Sequence, residues 1–348
     1  MNSRLYLDHA ATTPLLDAAK KAMYRGLDLW ANPSSPHKEG REMRQAVESA
    51  RFQIKQALNW PHHLIFTSGA SEAIALVLQQ NIFKKSTISA VEHDAFRRTG
   101  IAVETLPVDS AGYVQLDNLP EKQVIAIQAV NNETGVIQPF DEVASKIREK
   151  NSLWFADSSQ SAGKIDLPDA DFISISAHKL GGPPGIGALL VRDLADLLPF
   201  GGQEQGYRAG TENGPAILGF AAAVAQDKSW LKKNKALREK LDRAILAAGG
   251  GIIAENSSRI PTIASYHMPN IAAKTQLILF DMAGISISAG SACASGSLKI
   301  SPVLEAMGYD HKKAEEVIRV SFGPETNEAV IERFIQTWRH IAENKRAH

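Results

Sequence analysis

The chain is 348 residues long and 44% hydrophobic, with 38 basic residues balancing 38 acidic ones and a single cysteine. That length favours two subdomains sharing one compact unit, and zero net charge removes any global electrostatic reason to expect nucleic acid or an anionic membrane as the main partner. One thiol excludes an internal disulfide framework and a CxxC metal site, which suits a reducing cytoplasm.

The opening "MNSRLYLDHAATTP" lacks the basic leader and apolar core of a secretion signal. The longest apolar run, "AILGFAAAVA" from Ala216 to Ala225, is shorter than the roughly 18 residues that span a bilayer. The spacing predicts a long amphipathic helix from Lys38 to Asn59, followed in "HLIFTSGASEAIALVLQQ" by a strand, a glycine turn and a second helix. Short apolar or β-branched runs come next: "TISAV", "AVETLPV", "VIAIQAV", "LWFADSS", "FISISA" and "IGALLV". Charged helical segments such as "PFDEVASKIREKN" separate some of them. Strands interleaved with helices predict an α/β domain on a mostly parallel sheet, placed at residues 14–247. After the charged helix ending in "AILAAGG" the texture changes to that of a smaller α+β domain. It is made of residues 1–13 and 248–348 and closes with a helix from Asn327 to Glu343. A cleft between the two parts is a preferred place for a ligand.

The run "FISIS" ends at Ser176, and His178 and Lys179 follow before a Gly/Pro-rich turn. Asp157 ends "LWFAD", 22 residues upstream, with Gln160 just beyond. If those strands are neighbours, an acid and an amine meet at their carboxyl ends, where α/β sheets bind ligands. A carboxylate facing a pyridinium nitrogen and a lysine forming a Schiff base are the two protein groups that pyridoxal phosphate chemistry requires. The lysine must shed its proton, which burial near other cations promotes. "FTSGASEA" offers backbone N–H groups of Gly69, Ala70 and Ser71 between a strand and a helix, a geometry suited to phosphate, and Ser176 and His178 could add donors. His93 in "EHDA" and Asn132 in "VNNETG" stand at two further strand ends. Each position alone reads equally well as a turn or a satisfied structural residue. Ser71, His93, Asn132, Asp157 and Lys179 at five strand ends make the joint bland reading harder to hold.

In order, "YLDHAATTP", "NPSSPH", "FTSGASEA", "VEH", "VNNETGVIQP", "ADSSQSAGK", "SAHKLGGPPGIGAL", "GGQEQGYRAGTEN", "SAGSACASGS" and "IRVSFG" resemble cysteine desulfurases of the NifS/IscS type. These are class V aminotransferases with the fold type I pyridoxal 5'-phosphate architecture. The resemblance runs from Tyr6 to about Gly323. It implies that Lys179 forms the Schiff base and that Asp157 pairs with the pyridine nitrogen. Gln160 and Asn132 lie by the cofactor's phenolic oxygen in this family pattern, Asn132 also reaching the substrate carboxylate. Ala70, Ser71, Ser176 and His178 hold the phosphate, His93 stacks on the ring and moves protons, and Arg319 clamps the substrate carboxylate. Thr211 matches a position that reaches the phosphate of a neighbouring subunit, which implies a homodimer.

The implied reaction converts L-cysteine to L-alanine, with the sulfur taken as a persulfide on Cys293 and passed to an acceptor protein such as an iron–sulfur scaffold or a tRNA-thiolation enzyme. All nine neighbours of Cys293 in "SAGSACASGS" are Ser, Ala or Gly. Such a bare stretch keeps local ordering weak, as a thiol that collects sulfur and delivers it elsewhere requires. Three features depart from the family pattern: the segment after His93 is short, Ser71 replaces a commoner threonine, and Gln203 stands where many relatives carry histidine. Two other readings stay open at this point. An aminotransferase or selenocysteine-specific lyase would keep the cofactor and change the substrate, and a non-enzymatic sulfur carrier would keep only the fold.

Overall fold

The computed structural model describes residues 4–290 and 300–344; Cys293 lies outside the described residues. The chain runs β1 (Leu5–Tyr6), α1 (Asp17–Asp28), α2 (Lys38–Ala57), β2 (His63–Thr67), α3 (Ala70–Gln80), β3 (Ser86–Ser89), β4 (Glu104–Leu106), β5 (Val124–Ala126), α4 (Phe140–Glu149), β6 (Leu153–Asp157), β7 (Phe172–Ser176) and β8 (Gly187–Val191). It continues with α5 (Gly214–Val224), α6 (Trp230–Ala247), β9 (Gly251–Ile252), β10 (Ile263–His267), α7 (Ala273–Met282), β11 (Ile285–Ser286), β12 (Ser288–Ala289), α8 (Pro302–Ala306), α9 (His311–Glu315), β13 (Val317–Ser321) and α10 (Glu328–Asn344).

Seven strands form the larger sheet in the order β2-β8-β7-β6-β5-β3-β4. The pairs from β7 to β4 are parallel, and β8 alone runs against its neighbours. This bears out the α/β expectation. Helices cover both faces, so β7 and β8 are buried at every position, which explains why "FISIS" and "GALLV" read as nearly unbroken buried runs. Alternation sorts their side chains between two cores: Ile173 and Ile175 join Trp154 and Ala156 on one side, while Phe172 joins Phe155 on the other.

Helix α2 forms because Met43, Val47, Ala50 and Ile54 recur at helical spacing on its buried face. The His37 ring accepts a hydrogen bond from the Gly40 amide at its start. Helix α1 carries no signal that the motif reading used, yet it packs closely on α5. Gly26 permits that approach, since a Cβ there would lie 2.5 Å from Pro215 Cα.

The smaller sheet, β12-β13-β10-β9, is antiparallel. Its core gathers Tyr266, Ile318, Val320, Phe334 and Trp338 with Leu241 and Ile245 of α6. The helix that the sequence places before the boundary at Ala247 therefore packs with the smaller sheet. The amino-terminal segment returns to this part of the molecule, β1 pairing in parallel with β11 and Asp8 bridging to Ser321. Among the described residues, no helix is long and apolar enough to cross a membrane.

Candidate active site

Strand register builds the centre of the site. Parallel pairing sets Asp157, the last residue of β6, beside Ser174 of β7. The period of two puts Ser174 and Ser176 on one face. Ser174 Oγ donates to Asp157 Oδ1 at 3.0 Å, and Ser159 adds its amide at 2.9 Å and its hydroxyl at 2.6 Å to the same oxygen. Three donors fix the carboxylate orientation and, among the described residues, leave Oδ2 for a group outside the protein.

Directly after Ser176, the chain enters a short 3-10 turn, Ala177–Leu180, that carries His178 and Lys179. Burial pushes the Lys179 ammonium below its usual range and Arg319 adds to the drop, while Asp157 opposes it. Lys164 sits in the same electropositive region and is pushed down to about 7, first by burial and then by Lys179 and Lys228. His178 Nδ1 lies 3.2 Å from Thr12 Oγ1, and burial together with Lys179 holds its ring toward the neutral form.

The turn before α3 forms the opposite wall. Gly69 adopts φ +155° and ψ 178°, a conformation essentially confined to glycine. The Ala70 amide donates to Ser176 Oγ at 3.1 Å, which ties the amino end of α3 to β7. Gly187 allows the close approach behind it: a Cβ there would lie 2.4 Å from Ile175 O and 2.7 Å from Gly69 Cα. Neither contact is a flexible side-chain end, so Gly187→Ala is expected to lower stability by roughly 1–3 kcal/mol and to displace the Gly69 turn. Thermal melting and phosphate-ester affinity measured on the same variant check both effects.

His93 follows β3 and accepts the Ala95 amide on Nδ1 at 3.2 Å, which places the proton of a neutral ring on Nε2. Burial and Lys179 hold its pKa below the ordinary histidine value. Arg319 projects from β13, with its neighbours Ile318 and Val320 turned into the smaller core. Its Nη1 donates to Asn132 O at 3.1 Å and its Nη2 to Asp8 Oδ1 at 2.9 Å, while the buried Nε has no partner among the described residues.

These side chains meet in one cavity of about 370 Å³, lined by Ala70, Ser71, His93, Asn132, Asp157, Ser176, His178, Lys179 and Arg319, with Asp8, Ala10, Ala11, Ile74, Ser159, Ser288 and Gly290 completing the wall. Two expected site residues stand apart. Gln160 is buried behind the wall, its Nε2 donating to Ala10 O at 2.9 Å and its Oε1 unpaired among the described residues. Thr211 is exposed on a loop that Gln203 braces by accepting the Gly210 amide at 3.0 Å. The short segment after His93 folds as a single 3-10 turn, Arg97–Thr99, before β4. Asp8, Ser159 and Ser174 were not singled out in the sequence reading. Asp8 lies in "YLDHAATTP", but nothing local reveals that Arg319, 311 residues away, is its partner.

Residues 5–334 match the family described as aminotransferase class-V. A cysteine desulfurase from Gluconacetobacter diazotrophicus is 34% identical over 95% of this chain and 91% of its own length. Among solved structures, a NifS-like protein from Rickettsia africae superposes with a TM-score of 0.89 at 30% identity, covering 98% of this chain and 99% of that one. A structure described as SspA in complex with cysteine gives 0.79 at 28% identity, over 93% of this chain and 100% of the other. With the fold, the register at Asp157 and the family match running along nearly the whole chain, this protein belongs to the class-V aminotransferase family.

Proposed function

We propose that this protein is a pyridoxal 5'-phosphate-dependent cysteine desulfurase that converts L-cysteine to L-alanine and takes the sulfur onto Cys293. The observation that carries the proposal is the convergence in one cavity of a buried lysine held below its usual pKa, an oriented carboxylate and a glycine turn at a helix amino terminus. The cysteine-bearing segment also leaves that cavity's wall at Gly290.

The residues fit the cofactor. Asp157 Oδ2 can face a pyridinium nitrogen, the Ser71 amide with the Ser176 and His178 side chains suits a phosphate beside Ala70, and His93 can lie over a ring. When bound, pyridoxal phosphate withdraws electrons from the substrate Cα. Lys179 would hold the cofactor through its amine, and that amine is the group that would carry the substrate's α-proton. Arg319 has an unpaired buried Nε beside an Nη2 that Asp8 now holds, so a substrate carboxylate can take that edge of the guanidinium. Asn132 stands next to it, and Gln160 supports the site from behind through the Ala10 carbonyl. The Cβ–S bond breaks with its electron pair kept by carbon, the carbon is protonated to a methyl group, and the sulfur joins Cys293 Sγ as a persulfide. The thiolate is the nucleophile.

The reading extends to a homodimer in which Thr211 reaches the partner's phosphate. Tyr24, Leu27 and Trp30 support it: Trp30 is 76% exposed and the others more than half, an apolar patch of the kind that marks an interface. It also extends to a cytoplasmic setting, where thiols remain reduced, and to a protein acceptor serving iron–sulfur cluster assembly or tRNA thiolation.

Holoprotein given L-cysteine and a thiol reductant is expected to release alanine and sulfide in equal amounts. Keto acid formed without sulfide would instead identify a transaminase and overturn the proposal.

A further inference from the structure

The turn after β5 places three consecutive side chains in different tasks. Asn131 Oδ1 accepts the amides of Glu133 and Thr134, each at 2.9 Å, which locks the turn. Asn132 faces the cavity and its carbonyl receives Arg319. Glu133 points the other way, 95% buried. Its Oε2 accepts the Ser301 hydroxyl at 2.5 Å. It also lies against Gly290 so closely that a Cβ there would be 2.0 Å from Oε2. Ser265 Oγ, from β10, donates to the Glu133 carbonyl at 2.8 Å.

Gly290 and Ser301 are the two feet of the stretch that contains Cys293. Gly290 follows β12, whose Ala289 pairs with Ile318, and Ser301 caps α8 by accepting the Leu304 amide at 3.2 Å. Gly290 is thereby fixed to the smaller sheet, whereas α8 packs through Val303 and Leu304 on the core of the larger sheet, on the same side as the turn after β5 that carries Glu133. Burial raises the Glu133 pKa, with the Ser301 hydrogen bond and Arg319 opposing that rise. A carboxyl group buried between Gly290 and Ser301 is costly unless it is paired, and a hydrophobic residue would fill the same volume without that cost.

We infer that Glu133 is a positioning residue for sulfur transfer: bonded to Ser301 and packed against Gly290, it fixes the two residues that flank the cysteine-bearing segment relative to each other. This inference rests on the reading that Cys293 accepts the substrate sulfur. The carboxylate acts as an acceptor for Ser301, so an amide oxygen can take its place and a methyl group cannot.

The test uses holoprotein and two readouts: the change in cofactor absorbance when L-cysteine is added, and the single-turnover rate at which Cys293 gains one sulfur by mass spectrometry. In Glu133→Ala the absorbance change is expected to stay within about twofold of wild type. Persulfide formation should slow roughly tenfold to a hundredfold, the scale of a misplaced reacting group. Glu133→Gln is expected to restore the second rate. If the alanine variant does not fold, Ser301→Ala removes the donor and should show the same split with a smaller loss.

Wild-type persulfide formation in these variants overturns the inference. So does an equal slowing of both steps, which would mark a merely structural residue. A Cys293→Ala protein that still releases sulfide at the wild-type rate would remove the underlying reading itself, and the inference would fall with it whatever Glu133 does.

Discussion

Replacing Lys179 with alanine is expected to abolish the long-wavelength absorbance of a lysine–cofactor Schiff base and to reduce turnover of L-cysteine by about 10³-fold or more. Two losses combine in that figure. The amine that binds the cofactor's carbonyl disappears, and so does the base that moves the α-proton, a role that alone contributes roughly 10²–10⁴-fold. Lys179 suits both because burial and Arg319 hold its ammonium below the ordinary lysine range, which raises the share of free amine near neutral pH. Asp157 restrains the drop, so the two groups set the balance together. Absorbance spectroscopy of the purified variant with added pyridoxal phosphate, followed by an alanine assay, checks the expectation. An unchanged Schiff-base band would mean that another lysine holds the cofactor, and Lys164, pushed down to about 7, would be the first to examine.

Cys293→Ala should separate substrate engagement from sulfur release. The colour of the bound cofactor and its response to L-cysteine are expected to persist, while sulfide release falls by at least about 10²-fold, because no thiol remains to take the sulfur. Cys293 is three residues along the chain from Gly290, which lines the cavity. Undiminished sulfide release in the variant would require the Cβ–S bond to break without protein thiol participation. That result would sink the persulfide mechanism while leaving Lys179 and Asp157 in place.

Much of the chemistry was legible in the chain itself. The runs "LWFAD" and "FISIS" are strands that end at Asp157 and Ser176, because β-branched and aromatic residues favour a pleated, buried surface and the polar residues after them mark where burial stops. "TSGAS" reads as a strand-to-helix turn and is one, since few residues other than glycine tolerate the backbone angles of Gly69. These are local properties, fixed by each residue's own backbone and its nearest neighbours.

Only the tertiary structure decided the rest. Ser174 could be recognised as a strand residue, but its hydrogen bond to Asp157 depends on the parallel register of β6 with β7. Shifting that register by one residue would turn the hydroxyl to the other face. The pairing of Arg319 with Asp8, the contact of Gly187 with the Gly69 turn and the grip of Glu133 on Gly290 and Ser301 join residues far apart in the chain. In "VNNETG" the pattern shows two amides and a carboxylate at a sheet end, whereas the burial of Glu133 against Ser301 and Gly290 appears only in the folded molecule. Sequence pattern determines which face a side chain takes within its own element, whereas the partner on that face is set by how elements pack, a long-range outcome that no local spacing encodes.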